Sequence, residues 1–418
     1  MDSIHVQGGI SLQGKVRIQG SKNAALPILA ACLLMKEPVV LENCPKITDV
    51  YEMIRLLESL GCCVRWEGNT VRILPGKKKN DALPPDAAMG MRSSVLLLGA
   101  LLARDGEVSL PYPGGCVIGK RPVDLHIAAL RKMSVVFEEK PDGLFAHISK
   151  KLTGAEVALE FPSVGATENL LLAGVLAEGE TVIRGAAREP EVQSLCRFLE
   201  KCGAKIRGIG TNLLVIEGQK ELVGGSFCLP SDRIVAGTYL LAGFMTGGEF
   251  FLERAPVKEM EAVLKTAEQM GADIWPAEVG IYAQFPERPG PLPYLQTAVY
   301  PGFPTDLQSV LLAVRCIGKG CTLIRETIFE NRFRLADDLE SMGAELLRRD
   351  EWCMGVFGVG YLTGTKVEAK ELRGGAALTV AALGAEGETI ITGKHYIDRG
   401  YENICRDLKD LGARIVSD

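Results

Sequence analysis

Histidine is scarce in this chain, four in 418 residues, and the twelve cysteines are scattered with no C-x-x-C pair among them. Ligand sets of the zinc-finger kind are thereby excluded, and no metal site is expected. Cys32, Cys63, Cys196, Cys228, Cys316 and Cys405 lie mostly in apolar or amphipathic settings, where a reduced cysteine acts as a small hydrophobe. An excess of positive charge is also missing. The net charge is -5 with a pI near 5.7, which argues against a general nucleic-acid partner and leaves room for local basic pockets that bind small anions. The opening Met-Asp-Ser-Ile-His has no basic n-region, and the longest early apolar run, Ala24 to Met35, contains Pro27 and is too short to span a bilayer. A cytoplasmic chain without membrane insertion is expected.

At 418 residues the chain exceeds what one core usually serves, so two domains are expected. What it does have is self-similarity. Leu-Glu-Ser-Leu-Gly61, Leu-Arg-Lys-Met-Ser134, Leu-Glu-Lys-Cys-Gly203, Ala-Glu-Gln-Met-Gly271, Leu-Glu-Ser-Met-Gly343 and Leu-Lys-Asp-Leu-Gly412 recur about every 70 residues. Each reads as an amphipathic helix closed by a left-handed cap residue and followed by an alternating strand such as Ala204-Lys-Ile-Arg207. Before each lies a helix that is apolar nearly all round, and such helices belong in the middle of a domain. The unit is therefore strand, buried helix, strand, outer helix, strand, strand. Residues 1–21 resemble the hairpin that the last unit lacks, so they are expected to complete the sixth unit. Three units per domain place residues 22–229 in one lobe and 1–21 with 230–418 in the other. Pro75 to Pro85 and Pro286 to Pro293 read as loops between units.

Chemistry collects in loops and at helix starts. Prolines and glycines around Cys116 in Pro-Tyr-Pro-Gly-Gly-Cys-Val-Ile-Gly-Lys-Arg121 favour a mobile loop, and Lys120 and Arg121 favour its thiolate. The buried helices open with Lys22 and Asn23, Arg92, Arg233, Asp306 and Arg373, where unpaired N–H groups attract anions. Segments Arg121 to His126, Arg188 to Glu191, Phe329 to Arg332 and Ile397 to Tyr401 occupy matching strand-to-helix connections, and Arg121, Arg332 and Arg399 suit bidentate binding of carboxylate or phosphate. Asp124 and Glu189 also suit plain helix caps.

Ser21-Lys-Asn-Ala-Ala-Leu-Pro27, Gly114-Gly-Cys-x-Ile-Gly-x-Arg-Pro-Val-Asp-Leu-His126, Ser163-Val-Gly-Ala-Thr-Glu-Asn169, Ala187-Arg-Glu-Pro-Glu191, Phe303-Pro-Thr-Asp-x-Gln308, Phe329-Glu-Asn-Arg-Phe333 and Asp398-Arg-Gly-Tyr-Glu402 together resemble the UDP-N-acetylglucosamine 1-carboxyvinyltransferase family, in order and along the whole chain. The resemblance implies the two-domain inside-out α/β barrel of the enolpyruvyl transferases, closing on its substrates. It implies transfer of the enolpyruvyl group of phosphoenolpyruvate to the 3-hydroxyl of UDP-N-acetylglucosamine, the first committed step of peptidoglycan synthesis, with no metal or organic cofactor. Lys22, Arg121 and Arg399 would grip phosphoenolpyruvate. Asn23, Arg92, Arg121, Pro122, Val123, Asp124, Leu125, Ser163, Val164, Gly165 and Ile328 would contact the nucleotide sugar, with Arg332, Glu371 and Arg373 lining the site. Asp306 would take the proton of the sugar hydroxyl, and Cys116, the target of fosfomycin in this family, would protonate C3 of the enol.

Three positions depart from the family pattern. Glu371-Leu-Arg373 replaces Asp-Leu-Arg, His395 is shifted by one place, and Phe161 stands where some members carry lysine. Alternatives that stay open are a 5-enolpyruvylshikimate-3-phosphate synthase, a catalytically silent binder of UDP-N-acetylglucosamine and a Cys-His hydrolase using His126, which lies ten residues beyond Cys116.

Overall fold

The computed structural model describes residues 2–76, 92–111, 123–140 and 143–418. The chain divides into two compact units, the described residues of 1–19 with 231–418, and those of 20–230. Each has its own apolar core.

In the first unit three helices start the argument, because their sequences leave no wet face. Every residue of Leu372–Leu383 and of Gln308–Arg315 is buried, as is nearly all of Arg233–Thr246. Such helices are covered on all sides, and here Leu372–Leu383 packs against both of the others. In the second unit Lys22–Ala31, Leu97–Asp105 and Val164–Gly174 are equally apolar, and Leu97–Asp105 packs on Val164–Gly174. Amphipathic helices such as Thr48–Ser59 and Pro190–Lys201 lie outside them, each with one buried stripe.

Sheets complete the layers, and in five of them a parallel edge strand flanks an antiparallel trio. In the second unit Gly225–Cys228 pairs parallel with Val39–Glu42, which pairs antiparallel with Thr70–Leu74 and through it reaches Cys63–Glu67. Glu156–Ala158, Glu180–Arg184, Leu213–Glu217 and Lys205–Arg207 follow the same order. Glu107–Pro111, Gly143–Ile148 and Val135–Lys140 form an antiparallel sheet of three. In the first unit the equivalent sets are built on Gly248–Glu253, Cys321–Arg325 and Glu388–Thr392.

The start of the chain corrects one expectation. Ser3–Gln7 joins the sheet of Glu388–Thr392 and Arg414–Ser417, as a completion of the last unit requires. Leu12–Arg17 instead pairs parallel with Gly248–Glu253, so residues 1–21 serve two sheets. Gly248–Glu253 pairs with Gly280–Phe285 on one side, and Leu12–Arg17 covers its other edge. Gly225–Cys228 does the same for Val39–Glu42.

All six helix-end residues have a left-handed backbone: Gly61, Gly203, Gly271, Gly343, Gly412 and Ser134, the last at φ 70°. Ser134 accepts the cost of that conformation and exchanges a hydrogen bond with Thr153 Oγ1 at 2.8 Å. Around Gly203, at φ 101°, an added Cβ meets no atom within 4 Å, so only backbone strain opposes a side chain. Gly203→Ala is therefore expected to lower the unfolding free energy by about 1 kcal/mol, read as a shifted urea midpoint. An unchanged midpoint contradicts the left-handed cap.

Candidate functional site

In the first unit the polar starts of the buried helices come together. Asp306 lies in the 3-10 turn Thr305–Leu307 that opens Gln308–Arg315. Its Oδ1 accepts from Arg332 at 2.7 Å and its Oδ2 from Arg373 at 2.9 Å. Both guanidinium groups are buried, at 2% and 6% side-chain exposure, whereas Asp306 keeps 23%. The carboxylate is thus held by two guanidinium groups on a side chain that stays partly exposed. Burial alone would weaken the charge on Arg373, but Asp306, Tyr401 and Asp232 raise its pKa overall, so it stays a cation. Arg332 also stands 5.2 Å from the Phe329 ring centre. Tyr401 and Thr238 exchange a hydrogen bond at 2.8 Å.

Two acidic side chains hold this cluster in place. Glu371, the residue that departs from the family aspartate, is the N-cap of Leu372–Leu383, accepting from the N–H groups of Arg373 and Gly374. Its extra methylene is accommodated by capping, so the exchange leaves the helix start intact. Glu326 is 1% exposed. Its Oε1 accepts from the backbone N–H of Thr327, Ile328 and Phe329, and its Oε2 from Thr305 Oγ1 at 2.9 Å. One carboxylate thereby ties the loop bearing Ile328 to the turn bearing Asp306. Arg399 lies half-buried after the short helix Lys394–Ile397. His395 is exposed, and its N–H donates to Asp2, which removes it from this cluster.

The second unit carries the remaining candidates. Lys22 opens its helix after the Ser21 cap and pairs with buried Asp49 at 2.6 Å, and Asn23 follows it half-buried. Arg92 begins the 3-10 turn Arg92–Leu96. Ser163 caps Val164–Gly174, with Val164 and Gly165 half-buried in its first turn. Val123 and Leu125 are half-buried and Asp124 exposed at the start of Asp124–Arg131; Asp124 is the first helical residue, and Val123, in the N-cap position, has no side-chain cap bond. Glu189 occupies the N-cap position of Pro190–Lys201 without such a bond either. Cys116, Arg121 and Pro122 lie outside the described residues. Phe161 is exposed.

Of the cysteines read as small hydrophobes, Cys32, Cys196, Cys316 and Cys405 are buried, and burial pushes Cys196 and Cys316 up to about 12 and Cys405 to about 11. Cys63 and Cys228 are exposed instead, because each sits on the outward side of a strand that alternates. Sequence reasoning missed Asp49, Glu326 and the role of Asn169. A buried acid two residues into a helix, or directly after a strand, has no spacing signature; only the pairing shows its use.

The unit containing Asp306 offers a carboxylate aimed by two guanidinium groups, and the unit containing Lys22 offers a positioned ammonium at a helix start. A carboxylate of this kind accepts a proton, and cations of this kind bind phosphate or carboxylate.

The sequence profile described as EPSP synthase (3-phosphoshikimate 1-carboxyvinyltransferase) matches residues 6–408. The chain belongs to that family of enolpyruvyl transferases. Within it the chain stands with the UDP-N-acetylglucosamine 1-carboxyvinyltransferases. It is 45% identical over 417 residues to the enzyme of that name from Solidesulfovibrio magneticus, covering 99% of each chain. It is 43% identical to UDP-N-acetylglucosamine 1-carboxyvinyltransferase 2 of Caldanaerobacter subterraneus, covering 100% of this chain and 99% of the other. Among solved structures, the enolpyruvyl transferase NikO from Streptomyces tendae superposes with a TM-score of 0.88 at 25% identity, over 100% of this chain and 99% of its own. EPSP synthase from Acinetobacter baumannii, at 18% identity and a TM-score of 0.77 over 100% of both chains, shares the fold. No helix among the described residues is long and apolar enough to cross a membrane.

Beside the candidate residues Ser163 to Gly165, Glu168 is 4% exposed, and burial first, then the charges of Glu191 and Glu189, raises its pKa well above 4.5. The folded state therefore holds a proton that the unfolded chain releases, and stability falls as pH rises above the unfolded carboxyl range. Glu168→Gln is expected to remove that loss: its urea midpoint should gain more over wild type at pH 8 than at pH 5. An equal difference at both pH values contradicts a neutral buried Glu168.

Proposed function

We propose that this chain transfers the enolpyruvyl group of phosphoenolpyruvate to the 3-hydroxyl of UDP-N-acetylglucosamine, releasing phosphate, in the cytoplasm and as the first committed step of peptidoglycan synthesis. The observation that carries the mechanism is Asp306, clamped by Arg332 and Arg373 on a side chain that is partly exposed. Held in this way the group needs no reorganisation to accept the proton of the sugar hydroxyl. The hydroxyl oxygen attacks C2 of phosphoenolpyruvate while C3 takes a proton from the Cys116 thiol. Loss of a C3 proton then expels phosphate and restores the double bond. Lys22, Arg121 and Arg399 bind the phosphate and carboxylate of the donor, a trianion that needs several cations.

Asn23, Arg92, Arg121 to Leu125, Ser163 to Gly165 and Ile328 form the nucleotide-sugar contacts in this reading. In this reading the lobes are residues 22–229 and residues 1–21 with 230–418. Each holds three strand-helix repeats of an inside-out α/β barrel. The recurrence of helix ends about every 70 residues supports that architecture.

Phosphate release from phosphoenolpyruvate tests the reaction, with UDP-N-acetylglucosamine and shikimate 3-phosphate as parallel acceptors. Release is expected only with the nucleotide sugar. Asp306→Asn should lower kcat by roughly 100-fold or more, the range for loss of a general base. Cys116→Ala should lose turnover and also resist inactivation by fosfomycin. Turnover with shikimate 3-phosphate would replace the acceptor assignment, and binding of UDP-N-acetylglucosamine without release would make the protein a silent binder.

A further inference from the structure

The helix Val164–Gly174 is buried and mostly apolar, yet it carries Asn169 at 0% exposure. Both N–H donors and one acceptor position of that carboxamide are engaged. Oδ1 accepts from the N–H of Gly99 at 2.6 Å, and Nδ2 donates to the carbonyl of Val95 at 3.0 Å and to His126 Nδ1 at 2.8 Å. Gly99 N–H and Val95 C=O are the pair that an unbroken α-helix joins, four residues apart. The side chain stands in for that peptide contact where the 3-10 turn Arg92–Leu96 passes into Leu97–Asp105. Gly99 must be glycine for this approach, because a Cβ there would lie 2.4 Å from the Asn169 carbonyl oxygen.

The orientation of the amide follows from those two backbone groups. An oxygen has to face Gly99 N–H, so the NH2 faces both Val95 and His126. His126 Nδ1 is therefore an acceptor, and the ring proton is on Nε2. The ring packs against the candidate nucleotide segment: a Cβ on Gly165 would come within 2.9 Å of His126 Cε1 and 3.2 Å of Nε2. We propose that Asn169 is a positioning residue for the nucleotide-sugar site, fixing His126 as its Nε2–H tautomer against Gly165 and setting the turn that carries Arg92. This rests on the reading of Val123–Leu125 and Ser163–Gly165 as nucleotide contacts.

The test uses the full chain with ¹⁵N-labelled histidine. Four histidines give few signals, and His126→Gln assigns the one of interest. At pH 7.5 the His126 ring should show an unprotonated Nδ1 and a protonated Nε2. An Nδ1–H tautomer or an imidazolium overturns the proposal. Asn169→Asp presents an oxygen to Nδ1 and should shift the proton there. It should raise KM for UDP-N-acetylglucosamine roughly tenfold, the effect of about one hydrogen bond, while KM for phosphoenolpyruvate changes less than about twofold. A shifted tautomer with an unchanged KM for the nucleotide sugar removes the positioning role. Asn169→Ser, smaller and uncharged, covers the case in which Asn169→Asp does not fold: it should give mixed tautomers and a smaller rise in the same KM, and wild-type values for both overturn the proposal. If wild type fails to bind UDP-N-acetylglucosamine in a calorimetric titration, the acceptor reading falls, and the tautomer is still judged from the spectrum.

Discussion

A helix with no polar face can be stable in water only when every side is covered, and that constraint governs each unit. Leu372–Leu383 and Val164–Gly174 show it most fully, every residue of the first and every residue from Ala166 to Gly174 of the second being buried. Covering such a helix takes neighbours on all sides, which the other apolar helices and the hairpin sheets supply. What remains uncovered is the end. The N-terminal turn carries N–H groups that no helical carbonyl satisfies, so polar residues gather there. Position of the site at helix starts is thus a consequence of how the core is built.

The cluster around Asp306 shows what that placement does. Two arginines, nearly buried, face one carboxylate. Desolvating those charges costs several kcal/mol, so such a cluster adds little to net stability. Its effect is on geometry. Removing either guanidinium leaves a charge behind without its counterpart, and the cap at Glu371 and the turn held by Glu326 keep all three elements in register. The structure spends stability on a preorganised carboxylate.

Much of this was legible in the chain itself. The helix ends announced their left-handed caps, including Ser134, where serine replaces glycine and the backbone still adopts φ 70°. Burial of the apolar helices followed from their lack of a polar stripe, and Asp306 and Arg373, read as helix starts, meet at 2.9 Å. The pairing of Leu12–Arg17 with Gly248–Glu253 was not legible, because a parallel edge partner has no connecting turn to signal it. Asp49 and Glu326 were missed for a related reason: a buried acid is identified by what it pairs with, and partners are set by the fold.

Val164–Gly174 is an apolar helix capped by Ser163, and its interior polar run is equally informative. Thr167, Glu168 and Asn169 are all within 4% of complete burial. A buried polar group without a partner costs about 1–3 kcal/mol, so three in succession persist only where the surroundings use them. Thr167 Oγ1 donates to the Ser163 carbonyl and accepts from Ala187 N–H, which anchors the chain just before Arg188 to Glu191. Burial, with the charges of Glu191 and Glu189, raises the pKa of Glu168 well above its usual value. Asn169 enters the turn after Arg92 and orients His126. One turn of a core helix thereby fixes three flanking segments, each of which the sequence had marked for chemistry, and the apolar residues on either side of that turn are what make its polar contacts specific.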